Sequence, residues 1–311
     1  MRILFMGTPE FAVPCLEQMA KEGHEICGVF TQPDKRSGRG MTLRKPAVKI
    51  AAESLGISVH QPEGLKNDGV IDTIRALAPE AIVVTAYGRI LPEAVLNIPP
   101  LGCINVHASL LPAYRGAAPM QWAVINGEKV TGITTMYMAK GLDTGDMILK
   151  EETPIGDNET FGELYDRLQE IGARLLLRTL DLIAKGEAPR TAQGNEGATY
   201  APMIDNAVSM IDFRKTAQQV HNLVRGLSPF PGAASALNGM PVKIYETKLT
   251  DIVSDCPPGT IARSDEGIGV YCGDGRQIII TQIQQKSGKK MSATDYLNGH
   301  KNAASGSFQC F

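Results

Sequence analysis

The sequence predicts an α/β protein, with an N-terminal Rossmann-like, doubly wound parallel sheet and a smaller C-terminal β-barrel. Three observations carry that expectation. Apolar strand-like runs alternate with helical patterns through the first half of the chain. A stretch rich in Gly, Pro and small polar residues, G-E-A-P-R-T-A-Q-G-N-E-G-A-T-Y-A-P, follows at about residue 186. Beyond it come short alternating segments separated by Gly and Asp turns. The expected division is a domain over 1–187, a linker over 188–207 and a second domain over 208–311, and a length of 311 residues suits two domains.

In order, Arg2 to Met6 reads as a strand, followed by a helix from about Pro9. His24 to Phe30 is a second strand, and helices follow near Pro46 to Leu55 and Gly69 to Leu77. Ala81 to Val84, Cys103 to His107 and the alternating run Gly132 to Met138 complete the strands, before a helix over Phe161 to Lys185. Strand–helix–strand order with right-handed crossovers generates a parallel sheet, whose ligands bind beyond the carboxyl ends of the strands. The loops after Met6, Phe30, Val84 and His107 should all leave at that edge. G-T-P-E-F-A after the first strand lacks the G-x-G-x-x-G element, which argues against a dinucleotide-dependent dehydrogenase. Past the linker, a short helix (Ala217 to Leu227) precedes strands at Pro241 to Tyr245, Gly259 to Ala262, Gly267 to Cys272 and Gln277 to Gln282. Periodicity alone leaves the kind of β-barrel open.

No apolar run approaches eighteen residues and no cleavable signal pattern opens the chain, so a cytoplasmic protein without membrane association is expected. The six cysteines, at 15, 27, 103, 256, 272 and 310, form no C-x-x-C pair and no zinc spacing, so neither a disulfide framework nor a metal site is expected. Charge is uneven: residues 206–311 hold eleven Lys and Arg against eight Asp and Glu, although the whole chain carries a net charge of −2. K-S-G-K-K, with Lys286, Lys289 and Lys290, and Arg225 can form a phosphate-facing patch or simply be solvated. The denser cluster D-K-R-S-G-R-G-M-T-L-R-K packs Lys35, Arg36, Arg39, Arg44 and Lys45 around two glycines just past the second strand. Five cations beside a ligand edge suit an anionic ligand, and a mobile solvated loop is the plainer alternative.

Chemistry concentrates in C-I-N-V-H-A-S-L-L-P-A-Y-R-G, residues 103–116. Side chains at i and i+2 share a strand face, so Asn105 and His107 point together, with Ser109, Leu110, Leu111 and Pro112 leaving into a loop. A buried histidine is commonly a hydrogen-bonded core residue. Asp143, in the glycine-flanked G-L-D-T-G-D, changes the balance, because a tight turn can hold a carboxylate against an imidazole and fix its tautomer. Asp146 is read only as a turn residue.

N-V-H-A-S-L-L-P-x-x-R-G with a later G-L-D-T-G-D resembles the folate-dependent formyltransferases. A-A-P-M-Q-W-A-V-I-N-G, G-T-P-E-F-A, F-T-Q-P-D-K-R-S-G-R-G and P-F-P-G-A resemble the branch that formylates methionyl-tRNA, over essentially the whole chain. The resemblance implies that the C-terminal barrel is OB-like and binds tRNA. It further implies transfer of the formyl group of 10-formyltetrahydrofolate to the α-amino group of methionyl initiator tRNA by Asn105, His107 and Asp143. Ser109, Leu110, Leu111 and Pro112 match its folate-contacting element, with Tyr87, Gly88, Ile90 and Leu91 as the pterin wall, although for any single one of Leu110, Leu111 and Leu91 a core position is the better bet. Lys35, Arg36, Arg39, Arg44, Lys45, Lys286, Lys289 and Lys290 are the expected tRNA contacts, with Arg115 as a brace for its loop. A monomer is expected, and nothing in the reaction calls for a metal or a covalent nucleophile. Phe213 and Phe230 stand where many relatives carry Trp, and the tail 300–311 matches nothing assigned.

Formyl-folate enzymes that pass the formyl group to water, a purine precursor or a sugar nucleotide are rivals, and the C-terminal barrel argues against them. A non-catalytic RNA-binding module is the alternative from another class, and the Asn, His and Asp set argues against it.

Overall fold

Strand β1 (Arg2–Gly7) is buried from Ile3 through Met6 on both faces, the pattern of a central strand with layers above and below. The computed structural model, which describes residues 1–37, 42–300 and 307–309, places it there. A single 3-10 turn leads into α1 (Val13–Lys21), β2 (Glu25–Phe30), a hairpin of β3 (Lys35–Ser37) and β4 (Thr42–Arg44), α2 (Ala47–Ser54) and β5 (Val59–His60). Next come α3 (Asp68–Ala76), β6 (Ala81–Thr85), α4 (Glu93–Leu96), β7 (Cys103–His107), β8 (Arg115–Gly116) and α5 (Pro119–Ile125). β9 (Val130–Tyr137), β10 (Met147–Pro154), α6 (Phe161–Lys185) and β11 (Tyr200–Ala201) follow. No helix of the described residues is long and apolar enough to cross a membrane.

The main sheet has the order β10-β9-β7-β6-β1-β2-β5. β7, β6, β1, β2 and β5 run parallel, whereas β9 is antiparallel to β7. The Rossmann-like parallel sheet that the sequence predicts is thus present from β7 to β5, and it becomes mixed at β9. Alternation in Gly132 to Met138 identifies a strand but not its direction, and β9 starts at the end where β7 finishes, pairing Thr134 with His107 and Tyr137 with Ile104. Strand order reverses between β1 and β6, and the loops after Gly7 and Thr85 flank that switch point, where ligands of such sheets bind. Leu4, Met6, Ile82, Val84 and Cys103 pack with Ile71 and Ile74 of α3. On the other face α6 approaches so closely at Gly172 that a Cβ there would stand 3.2 Å from Val106 Cγ1.

The chain divides into two units, the first formed by Met1–Pro119, Thr131–Thr153 and Tyr165–Ala201, the second by Met120–Val130, Pro154–Leu164 and Pro202–Phe311. Composition places a linker at 188–207. In the structure much of that segment is fastened to the first unit: Thr191 exchanges two backbone hydrogen bonds with Met147 (2.9 and 3.0 Å), and β11 pairs with β8. Small polar residues look the same in a tether and in a strap whose bonds run through the backbone.

In the second unit, α7 (Asn206–Ser209) and α8 (Ala217–Gly226) precede β12 (Ala233–Leu237), β13 (Met240–Val253), β14 (Ile261–Ser264), β15 (Gly267–Tyr271), β16 (Arg276–Gln285), β17 (Met291–Ser292) and α9 (Ala293–Gly299). A capping box starts α8: Thr216 and Gln219 satisfy each other's backbone N–H groups. The antiparallel sheet runs β12-β13-β16-β15-β14, with β17 on β16. Ser307 and Phe308 bridge its two ends, Leu237 of β12 and Thr260 just before β14, and so close the sheet into a barrel. Phe308 is 3% exposed and its ring lies 5.2 Å from that of Phe213. Phe308→Ala should therefore lower stability by about 3 kcal/mol, the usual cost of emptying a buried aromatic site. Urea unfolding checks this, and a midpoint unchanged from wild type would mean that the tail does not seal the barrel.

Candidate active site

β7 ends at the ligand edge with Asn105 and His107 on one face, 9% and 5% exposed. Asn105 pairs with Val84 of β6 and Met136 of β9, His107 with Thr134 of β9, so strands on both sides fix the two side chains. Asp143 joins them from the loop between β9 and β10. Its Oδ1 lies 3.4 Å from Asn105 Nδ2, its Oδ2 lies 3.7 Å from His107 Nδ1, and its Oδ2 accepts a 2.9 Å hydrogen bond from the Gly116 backbone N–H. The three residues that the sequence singles out thus converge.

The imidazole is oriented differently from the sequence expectation. His107 Nε2 lies 2.9 Å from the Tyr114 carbonyl. A carbonyl only accepts, so Nε2 carries the proton, and the tautomer is set by this backbone group rather than by Asp143. Nδ1 faces the Asp143 carboxylate at a separation beyond a hydrogen bond.

Two loops hold this arrangement. Tyr114 (φ 59°) and Gly116 (φ 123°) turn the chain so that the Tyr114 carbonyl faces His107 and the Gly116 N–H faces Asp143. A Cβ on Gly116 would meet the Ala201 carbonyl oxygen at 2.7 Å, so glycine is required there. Asp143 itself is left-handed (φ 50°), a conformation Asp tolerates better than most residues. Just beyond it, a Cβ on Gly145 would fall 1.8 Å from the Tyr137 carbonyl oxygen. Arg115, 4% exposed, donates from Nε and Nη2 to Gln193 Oε1 (3.1 and 2.8 Å), the bracing expected of it. Gln193, Thr134 and the two backbone groups are the site members that sequence reasoning missed. Only the i to i+2 pairing of β7 with β9 hints at Thr134, whose hydroxyl donates to the Ser109 carbonyl (2.7 Å) and accepts from Leu111 N (3.1 Å).

The expected folate-contacting residues divide. Ser109 is buried, its hydroxyl donating to the Ala113 carbonyl (2.7 Å). Leu111 is fully buried, Leu110 and Pro112 are half-buried, and Lys150 Nζ donates to the Leu111 carbonyl. In the loop after β6, Tyr87 and Leu91 are core side chains beside Ile74 and Val95, Gly88 is left-handed (φ 79°), and Ile90 is 82% exposed. The Tyr87 carbonyl is held by Thr8 Oγ1 (3.0 Å) and Gln32 Nε2 (3.1 Å), so the loops after β1, β2 and β6 are tied together at the switch point.

Of the expected tRNA contacts, Arg39 lies outside the described residues. Lys35, Arg36, Arg44 and Lys45 are exposed on or beside the β3–β4 hairpin, where Lys35 pairs directly with Arg44 and Arg36 with Leu43. Lys45 is in an ion pair with Glu53 (2.7 Å). In the second unit Lys286, Lys289 and Lys290 are exposed, and Lys290 Nζ sits 4.7 Å from the Tyr245 ring centroid, whereas Arg225 is buried and spends its donors on Asn222 Oδ1 and the Gly156 and Glu159 carbonyls, so it does not join a phosphate-facing patch.

Burial pushes the thiols of Cys103, behind Asn105 on the same strand face, and Cys15 up to about 12. Neither is a nucleophile at neutral pH. Both pKa values are raised above the ordinary 9.0, so the stability these thiols contribute is present below pH 9 and is lost as pH rises toward 12. Iodoacetamide at pH 8 should leave Cys15 and Cys103 unmodified in the native protein and label both in urea. Rapid native labelling of either would show an accessible thiolate.

A Formyl transferase family model matches residues 1–180, and a Formyl transferase C-terminal domain model matches residues 203–301. The methionyl-tRNA formyltransferase of Acetivibrio thermocellus is 49% identical over 303 residues, 97% of each chain. That of Clostridioides difficile is 49% identical over 301 residues, 96% of this chain and 97% of its own. Among solved structures, WlaRD, a sugar 3N-formyl transferase crystallised with dTDP and 5-N-formyl-THF, shares the fold with a TM-score of 0.69 at 21% identity, over 92% of this chain and 97% of that one. HypX from Aquifex aeolicus, in complex with tetrahydrofolic acid, gives 0.67 at 18% identity over 96% of this chain, which spans only 47% of HypX. Near-half identity sustained from end to end, across both matched domains, makes this chain a member of the methionyl-tRNA formyltransferase family.

Proposed function

We propose that the protein transfers the formyl group of 10-formyltetrahydrofolate to the α-amino group of methionyl initiator tRNA, with Asn105, His107 and Asp143 carrying the chemistry. The observation that supports this most strongly is the position of Asp143, whose two carboxylate oxygens face Asn105 Nδ2 at 3.4 Å and His107 Nδ1 at 3.7 Å. Asn105 commits one amide hydrogen to Asp143 and keeps the other for the formyl oxygen, where a single well-placed donor stabilises the developing oxyanion by about 3 kcal/mol. His107 takes the proton shed by the attacking amine at Nδ1, because Nε2 is already committed to the Tyr114 carbonyl. Protonation turns the Nδ1 contact with Asp143 into an ion pair, which favours the cationic imidazole as it forms. A bond forms between the amine nitrogen and the formyl carbon, the bond from that carbon to N10 breaks, and the proton passes from His107 to N10. The nucleophile comes from the acceptor, in keeping with unreactive Cys15 and Cys103.

For the folate, Ser109, Leu110 and Pro112 on one loop and Gly88 and Ile90 on another supply a mostly apolar lining, with buried Leu111, Leu91 and Tyr87 as its backing. A large aliphatic side chain as exposed as Ile90, on a loop at the ligand edge, suits a flat heterocycle that would cover it. For the tRNA, two like charges placed directly opposite on a two-stranded hairpin repel each other, and a phosphate between Lys35 and Arg44 relieves that repulsion. Lys45 and Arg36 extend this basic surface, Arg39 is assigned to the tRNA from the sequence alone, and Lys286, Lys289 and Lys290 supply another surface on the OB-like barrel, which serves as the tRNA-binding domain over 208–311. The same reading takes the enzyme as a monomer working in the cytoplasm beside the translation machinery.

An acceptor panel tests the reading. With 10-formyltetrahydrofolate as donor, methionyl initiator tRNA, free methionine and a dTDP-linked amino sugar are compared at equal concentration. Formylation confined to the tRNA is the expected result, and preferential formylation of the amino sugar would transfer the protein to the sugar-modifying enzymes.

A further inference from the structure

We propose that Gln193 is a positioning residue for this site, holding the Asp143 loop in register with β8; the inference rests on the function proposed above. Gln193 Nε2 donates to the backbone carbonyls of Asp143 (2.9 Å) and Gly145 (2.7 Å), while its Oε1 accepts from Arg115 Nε (3.1 Å) and Nη2 (2.8 Å). Carbonyls only accept and a guanidinium only donates, so the carboxamide has one possible orientation and both its hydrogens and both its acceptor sites are in use.

The two ends of this clamp belong to the two halves of the site. On one side, Asp143 and Gly145 form the tight turn that carries the carboxylate, and Asp143 holds its left-handed conformation with its carbonyl on Gln193 and its carboxylate on the Gly116 N–H. On the other side, Arg115 lies between Tyr114, whose carbonyl orients His107, and Gly116, whose N–H meets Asp143. Gln193 is itself anchored: Thr191 bridges to Met147, and β11, seven residues further on, pairs with β8. A single side chain from the apparent linker therefore sets the distance between the carboxylate and the strand that aims the imidazole. Its polar atoms are all committed to protein groups, so it acts through the turn and the loop it joins.

Gln193→Leu removes both sets of bonds. Gln193→Glu keeps a partner for Arg115 but replaces the donors facing the Asp143 and Gly145 carbonyls with acceptors, so it isolates the hold on the turn and keeps the buried guanidinium paired. Steady-state formylation of methionyl initiator tRNA is measured for both variants, alone and combined with Asp143→Ala, with thermal unfolding as the fold control. Each single variant should lose about 10- to 100-fold in kcat, as small displacements of catalytic groups do, with KM for tRNA and folate nearly unchanged. In the Asp143→Ala background either change should add almost nothing, because Gln193 acts through the turn that carries that carboxylate. A folded Gln193→Glu with wild-type kcat, a loss confined to KM, or the same fold-loss without Asp143 would each overturn the proposal. A wild-type protein that forms no formylmethionyl-tRNA under the same conditions would instead overturn the reading beneath it.

Discussion

Replacing His107 by alanine should reduce kcat for formyl transfer by about 10²- to 10⁴-fold, the range that a positioned general base contributes. In the proposed reaction the imidazole takes the amine's proton and later returns it to the leaving nitrogen, and its neighbours suit that work. The Tyr114 carbonyl commits Nε2 as a donor, and Asp143 waits 3.7 Å from Nδ1 for the charge that develops. His107→Ala keeps the backbone of β7, which is hydrogen-bonded to β6 and β9, so tRNA binding should be nearly intact. Filter binding and single-turnover kinetics separate the two quantities. A parallel collapse of tRNA affinity in a folded variant would show that His107 serves binding rather than proton transfer.

Asn105→Ala should cost about 10²- to 10³-fold in kcat, the measured scale for removing one oxyanion donor. The loss should fall on kcat more than on KM, because the amide hydrogen meets full negative charge only as the tetrahedral intermediate forms. Asn105→Asp is the sharper variant, since it keeps the shape but sets a second carboxylate 3.4 Å from Asp143 Oδ1. Its kcat should fall at least as far, and its stability should drop, because the new carboxylate replaces a hydrogen-bond donor to Asp143 with a like charge or a shared proton. The double variant Asn105→Ala with His107→Ala should be far less damaged than the product of the single losses, as expected for groups acting on one transition state. Full additivity would mean that the two side chains act at separate steps.

How much of this was legible in the sequence depended on the range of each interaction. Asn105 and His107 share a face because strands alternate, a local rule that needs no tertiary knowledge. Asp143 was legible through its flanking glycines, and Gly145 does sit where any side chain would strike the Tyr137 carbonyl. The His107 tautomer was not, because it is set by the backbone carbonyl of Tyr114, and every residue has such a carbonyl. Gln193 was hidden for a related reason: it lies fifty residues past Asp143 in a segment whose composition reads as a tether, and its bonds are tertiary. Residue type could not separate Tyr87, Leu91 and Leu111, which are core, from Ile90, which is exposed. The basic cluster was legible as charge, while the direct pairing of Lys35 with Arg44 requires the hairpin register. β10 is absent from the sequence reading, and its K-E-E core carries the kind of charge by which edge strands discourage further pairing.

The most direct test follows product partition in the wild-type protein. Purified protein is mixed with formyl-labelled 10-formyltetrahydrofolate, with and without methionyl initiator tRNA, and label on the tRNA and label in free formate are read from the same samples. Rapid incorporation into tRNA with negligible formate in either sample is the result expected of a site whose nucleophile arrives with the acceptor. Formate release without transfer to tRNA would contradict it and make the protein a hydrolase, and the absence of both products would leave the Asn105, His107 and Asp143 cluster without a catalytic role.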